Sequence, residues 1–246
     1  MWNDLKRAWV IAKKDAIMYY LKAPILLFGI LMPLFIFLAY ILGREIPPAN
    51  ALAALVTIVV FFTATAVIPP IIPWENTTKT LERLLSMPIP RWAIFFGDVL
   101  AAFLFSSIVI LIPLILGILI GVPFFNLLIL VLGILISILC YSAFGLALAG
   151  LIPAENPAQM MVVINSVKFP LIFISGIFLP LTTLPSWVAV LSFFSPLTYF
   201  ADLSYIACTG TGFFPLWLNF IILGVLSLVF LVVGIRLQER QIDKKF

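Results

Sequence analysis

Lys168 is the ionisable side chain that the sequence sets deepest in an apolar run, about ten residues from either end of a span expected over roughly Ala158 to Leu179. That is ~15 Å from each membrane surface at about 1.5 Å rise per residue, too far for its stem to snorkel easily. An ammonium so placed has to face a helix bundle, a partner subunit or a wet cavity. Two chemistries follow. It draws an anionic or polar substrate along a pathway, or it ties helices together by donating to backbone carbonyls or to a neighbour such as Asn165. The second chemistry-bearing stretch is Glu75 to Trp92, the one long polar run between the two chain ends. Within it Asn76 to Met87 reads as a short helix, with Asn76, Thr77 or Thr78 as cap and Pro88 and Pro90 as stops. Leu81, Leu84 and Leu85 recur at i, i+3, i+4, giving an apolar face flanked by Lys79, Glu82 and Arg83. Such a helix is either a docking surface or a solvated connector with a few buried leucines.

Other chemistry is missing from the sequence. It has no histidine, so a Ser/His/Asp set is impossible and the commonest metal ligand is lacking. No G-x-x-x-x-G-K-[ST] phosphate loop occurs, which excludes nucleotide hydrolysis by that route. Cys140 and Cys208 have neither metal nor redox spacing. Asp98 and Glu155 read as boundary or capping charges.

The elements that must position these residues are membrane helices. Of 246 residues, 64% are hydrophobic and 10% charged, against about 25% charged in soluble domains. Apolar runs long enough to span recur, and the ten-residue alternation of a membrane barrel is absent. Six spans are expected: about Pro24–Gly43, Ala51–Trp74, Phe95–Ile120, Asn126–Ile152, Ala158–Leu179 and Leu216–Ile235. The first is long enough to remain as an anchor. Pro33, Pro69, Pro70, Pro73 and Pro113 are expected to bend three of them, and small residues such as Gly133, Gly145 and Ala149 to let the fourth pack closely.

Residues 1–22 read as an interfacial helix, with Trp2, Leu5, Trp9, Ala12, Ala16 and Tyr19 on the lipid side and the lysines on headgroups. Residues 180–214 are too broken by proline and glycine to span. They fit a re-entrant hairpin of two helices, Ser186–Phe194 and Pro196–Cys208, with Ser195 as N-cap. Arg236 to Phe246 reads as a charged tail. With both termini inside, twelve lysines and arginines face the cytoplasm and Arg44 alone faces out, which puts residues 75–92 in the cytoplasm and the hairpin outside. The slight positive excess thus carries topology information and implies no nucleic-acid partner. The expected fold is an all-α polytopic membrane protein, a single transmembrane domain over residues 1–246 with six spans, an N-terminal interfacial helix and an outer re-entrant hairpin between spans five and six.

Glu75 with Thr80-Leu-Glu-Arg-Leu-Leu-Ser-Met-Pro-Ile-Pro-Arg91 resembles the cytoplasmic segment of ABC-2-type transporter permeases. Ser175-Gly-Ile-Phe-Leu-Pro-Leu-Thr-Thr-Leu-Pro-Ser-Trp187 and Ser195-Pro-Leu-Thr-Tyr199-Phe-Ala-Asp202 resemble the same family's fifth span and outer hairpin. The likeness covers nearly the whole chain, with two departures: Lys79 stands where the pattern has glycine, and Ser195 where asparagine is commoner. Lys168 is not part of the pattern.

The resemblance implies the membrane subunit of an ABC exporter, in the cell membrane. It would pair with a second copy or a homologous permease and be driven by separate ATPase subunits that bind ATP and Mg; the chain itself would hold no cofactor and catalyse nothing. The 76–87 helix would couple to the ATPase through Glu75, Thr80, Leu81, Glu82, Arg83, Leu84 and Leu85. Lys168, Asn165 and Ser175 would lie near the pathway or dimer axis. Trp187, Pro196, Tyr199 and Asp202 would belong to the outer lid. The competing reading is an ion-gradient-driven transporter or channel, for which neither an inverted repeat nor paired mid-span carboxylates is evident.

Overall fold

Helix is the one open structure that hides its own backbone polar groups from lipid, and the chain uses it throughout. The computed structural model describes residues 2–122, 125–152, 156–178, 181 and 185–245, and every regular element among them is helical. Six stretches are long and apolar enough to cross a membrane: Ala23–Ile41, Pro48–Thr77, Arg91–Leu119, Leu127–Leu151, Pro157–Ile174 and Leu216–Asp243. They fall on the six expected spans. The turns around Pro123 and Phe124 and around Glu155, and the hairpin entry at 179, 180 and 182–184, lie outside the described residues.

Prolines divide three of the spans in one consistent way. A proline ring clashes with the carbonyl four residues upstream. For Pro33 that residue is Gly29, inside a π-helical turn (Leu27–Leu31) between α2 (Ala23–Leu26) and α3 (Met32–Ile41). For Pro70 it is Ala66, the last residue of α4 (Pro48–Ala66), before α5 (Ile68–Thr77) resumes. For Pro113 it is Val109, which ends α7 (Arg91–Val109) ahead of α8 (Leu111–Leu119). The short α6 (Thr80–Leu85) separates the second and third spans. Asn126 and Asn156 cap α9 (Leu127–Leu151) and α10 (Pro157–Ile174), accepting from the backbone N–H of Ile129 at 3.1 Å and Gln159 at 2.8 Å.

The second span is the axis of the bundle. Its most apolar stretch is 94% buried, against 22% for the first and the last spans, so the others surround it. Phe61, Phe62, Ile58 and Val60 are fully enclosed, and Phe61 meets Tyr141 of α9 edge to face at 5.2 Å. Close approach depends on small residues of α9, the expected Gly145 and, beyond expectation, Gly150. A Cβ on Gly145 would sit 3.5 Å from the Cα of Thr65, and one on Gly150 would sit 2.7 Å from the Cβ of Leu237.

Several boundaries differ from the sequence expectation. The fifth span ends at Ile174, since Gly176 turns the chain at φ +84°. Lys168 is then six residues from that end, ~9 Å by helical rise, rather than central. The expected charged tail is helical, continuing α13 (Leu216–Lys245), and Asp243 pairs with Arg91 at 2.6 Å. The hairpin helices are α11 (Ser186–Phe193) and α12 (Pro196–Thr209); Ser195 holds the N-cap position of α12 but makes no capping bond with its side chain. The N-terminal helix α1 (Trp2–Tyr19) leaves Leu5 and Trp9 exposed as expected. It turns Ala8, Ile11 and Asp15 against the protein, and with them Ala12 and Tyr19, which were expected on the lipid side.

Candidate coupling segment and buried charges

The polar run does not form the single helix expected over Asn76 to Met87. The second span continues to Thr77, the hydroxyls of Thr77 and Thr78 turn back to the Trp74 carbonyl at 2.9 and 2.8 Å, and Lys79 adopts a left-handed conformation with φ 55° and ψ 23°. Helix α6 starts only after that reversal. Lys79 is the one non-glycine residue with positive φ among the described residues, and it occupies the position where the family pattern carries glycine. A side chain there costs roughly 1 kcal/mol. Lys79→Gly is expected to raise the unfolding free energy by about 0.5 kcal/mol after glycine's greater unfolded-state entropy is subtracted. Lys79→Val should lower it, because a β-branched residue fits left-handed backbone poorly. Chemical denaturation in micelles checks both.

The three leucines of α6 face inward. Leu84 packs with Ile11 of α1 and Ile94 of α7, Leu85 lies partly buried against them, and Leu81 joins the main core. The face left to solvent carries Lys79, Glu82, Arg83, Ser86 and Met87, and Thr80 bonds Thr78 through their hydroxyls at 2.8 Å. Apolar spacing identified the inward face of the helix but set its start too early and could not tell which partner its leucines meet.

Beneath α6 lies a charge cluster that the sequence did not disclose. Lys14 of α1 donates to Glu75 at the end of the second span and pairs with Asp15 at 2.9 Å. Glu75 is 1% exposed and Asp15 fully buried. Asp98, read as a boundary charge, is a buried third carboxylate beside Asp15. Burial alone would lower the Lys14 ammonium, yet Asp15, Glu75 and Asp98 outweigh it and raise its pKa above the ordinary lysine value. Burial pushes the Asp15 carboxyl up, and Lys14 offsets only part of that. Tyr19 stacks on Trp74 at 5.5 Å, locking the same two helices together. The available signal was a Lys-Asp pair on a surface helix together with an aspartate seven residues into a span.

Lys168 is fully buried within the single chain. Its Nζ lies 4.2 Å from the ring centre of Phe62 and 5.8 Å from that of Phe61, both in α4, with no hydrogen-bond partner among the described residues. Asn165 donates instead to Met161 O at 2.7 Å, and Ser175 to Ile172 O at 2.7 Å. The structure thus groups Lys168 with the aromatic core of the second span and joins it to neither Asn165 nor Ser175.

In the hairpin, Pro196 is buried and its carbonyl accepts from Tyr141 at 3.4 Å, Tyr199 donates to Phe193 O at 2.6 Å, and Trp187 is 69% exposed. Asp202 accepts from the backbone N–H of Phe213 and Phe214 and from the Asn219 amide, so it fastens the loop that leads into the last span.

Comparison with known proteins agrees with this architecture. Residues 48–236 match the family described as ABC-2 family transporter protein. A protein of Cyanophora paradoxa named as a transport permease, ycf38, is 30% identical over 123 residues, 48% of this chain and 42% of the relative. One of Escherichia coli K12 named as a multidrug ABC transporter permease, YbhR, is 27% identical over 132 residues, 53% of this chain and 35% of the relative. The chain thus spans less than half the length of these curated relatives. With six apolar helices and a match over most of its residues, it is a multi-pass membrane protein belonging to the ABC-2 family of transporter proteins.

Proposed function

We propose that the chain is the permease subunit of an ATP-driven exporter, working as a dimer with separate ATPase subunits that bind ATP and Mg. Both termini and the segment 75–92 would lie in the cytoplasm of a cell membrane. The observation that carries this reading is α6: a short helix with a polar outer face, held on a platform of α1, α5 and α7 by Leu81, Leu84 and the Lys14–Glu75 pair. A helix mounted in this way transmits force, because a push on its outer face is passed to three helices at once. The docking surface is then Glu82, Arg83 and Met87, with the leucines as its foundation. ATP-driven closure of the ATPase pair would tilt the platform and, through α5, the central second span. Lys168 enters as a strut between the second and fifth spans.

The test is co-expression with P-loop ATPases of the source organism, followed by co-purification and ATP-dependent export from vesicles. Glu82→Arg with Arg83→Glu is expected to cut ATPase co-purification about tenfold, the effect of disrupting one to two kcal/mol of contact charge, without changing the chain's melting temperature. Undiminished co-purification would sink the docking surface. Export that proceeds on an ion gradient without ATP would sink the exporter reading.

A further inference from the structure

A cavity of ≈ 380 Å³ opens at the end of the bundle opposite the chain termini, where the first and fifth spans end beside α12. The residues lining it include Tyr40, Phe178, Tyr205, Phe213 and Asp202. That volume lies near the lower end of the ~300–1,000 Å³ range of small-molecule sites, enough for a headgroup and a ring.

Two features define what it would take. Among the described residues Asp202 is the one carboxylate in the lining, and its three donors, two backbone N–H groups and the Asn219 amide, are all neutral. Its negative charge stays uncompensated by any ion pair among the described residues. The rings offer negative π faces; Tyr40 and Phe178 pack against each other at 5.3 Å, and Tyr40 already accepts the Arg44 guanidinium 5.7 Å from its ring centre. Arg44 itself is exposed and does not line the cavity. The Tyr205 hydroxyl donates to Ile177 O at 3.3 Å, which holds that ring in the wall.

A carboxylate flanked by aromatic faces is the recognition chemistry of an organic cation. We infer that this cavity binds the ammonium end of an amphiphilic organic amine. Its place at the far face makes it an exit-side site, an assignment that rests on the exporter reading; binding itself does not.

The experiment measures equilibrium binding to the full chain in lipid nanodiscs, with no ATPase present. The probes are a fluorescent alkyl-trimethylammonium and its neutral tert-butyl isostere, which share shape and differ in charge. The cation is expected to bind about tenfold tighter. Asp202→Asn should bring the ratio close to one, and Tyr205→Leu should lower it while leaving Asp202 and its loop in place. Thermal melting reports whether Asp202→Asn still folds; if it does not, Tyr205→Leu decides. No binding, equal binding of the two probes, or a ratio unchanged in the folded variants would overturn the proposal. Absent binding alongside intact ATP-driven export removes the cavity site and leaves the exporter, whereas ATP-independent export alongside charge-selective binding does the reverse.

Discussion

Lys14→Met is expected to lower the unfolding free energy of the chain by about 3 kcal/mol at neutral pH, the low end of what breaking a buried ion pair costs. Lys14 is the cation that meets Glu75 and Asp15 directly, and both carboxylates are at most 1% exposed. Removing it leaves them buried without a counter-charge, beside Asp98. Methionine keeps most of the stem, so lost packing adds little.

The cost should depend on pH in a defined direction. The folded-state pKa of Asp15 is raised, so the folded chain holds a proton that the unfolded chain releases near the ordinary aspartate value of about 4. Stability is thus greatest below that value and falls as pH rises through the folded-state pKa. Lys14 contributes in the opposite range: its pKa is raised too, and its contribution is lost only above about 10.4. Between those limits the slope belongs to Asp15 among these two. Lys14→Met should steepen it and Asp15→Asn should flatten it. Melting curves in nanodiscs from pH 4 to 8 read both effects; a Lys14→Met variant that melts like wild type throughout would show that the cluster does not hold α1.

Gly97→Leu is the second large effect, and it should detach α1 from α7. A Cβ at Gly97 would come within 2.8 Å of the Ile11 side chain and 2.9 Å of the Ala8 carbonyl oxygen. The second contact is with backbone, which cannot turn aside as a side chain can. Overpacking of this kind costs roughly 1–3 kcal/mol, and here the strain is relieved most easily by moving the helix outward. Amide exchange over residues 4–19 is expected to speed up about tenfold, since local opening follows local stability. The rest of the bundle should keep its protection. Unchanged exchange in α1 would mean that the helix is held by its charges alone. Because α1 supports α6, the same variant should weaken any ATPase docked there.

Span number was legible because lipid allows few alternatives: Pro180 and Pro185 break the chain too often for a seventh span, and Gly121 and Asn126 mark the turn between the third and fourth. What was not legible depended on partners distant in sequence. Leu81 and Leu84 have the spacing of an exposed docking stripe, but Leu81 enters the main core and Leu84 is covered by Ile11 and Ile94, about 70 and 10 residues away. Asp98 looks like a boundary charge until Asp15 and Lys14 arrive beside it. Gly97 escaped notice because one glycine in a span carries no period; only the helix crossing it gives it meaning. Lys79 was marked as a departure from the family's glycine, but its left-handed backbone came only from the structure.

The enclosed second span also bears on how the protein is made. A stretch of mean hydropathy 2.5 that meets almost no lipid in the finished bundle must still enter the bilayer as a lipid-facing helix, because α9 and α12 are synthesised after it. Its neighbours then displace lipid from it, gaining packing rather than hydrophobic free energy. Apolar exchanges that pass unnoticed on the outer face of α13 would fail on α4, where each side chain has to match a neighbour delivered later. The bundle is assembled around its axis, and a chain halted before the fourth span would leave that axis exposed.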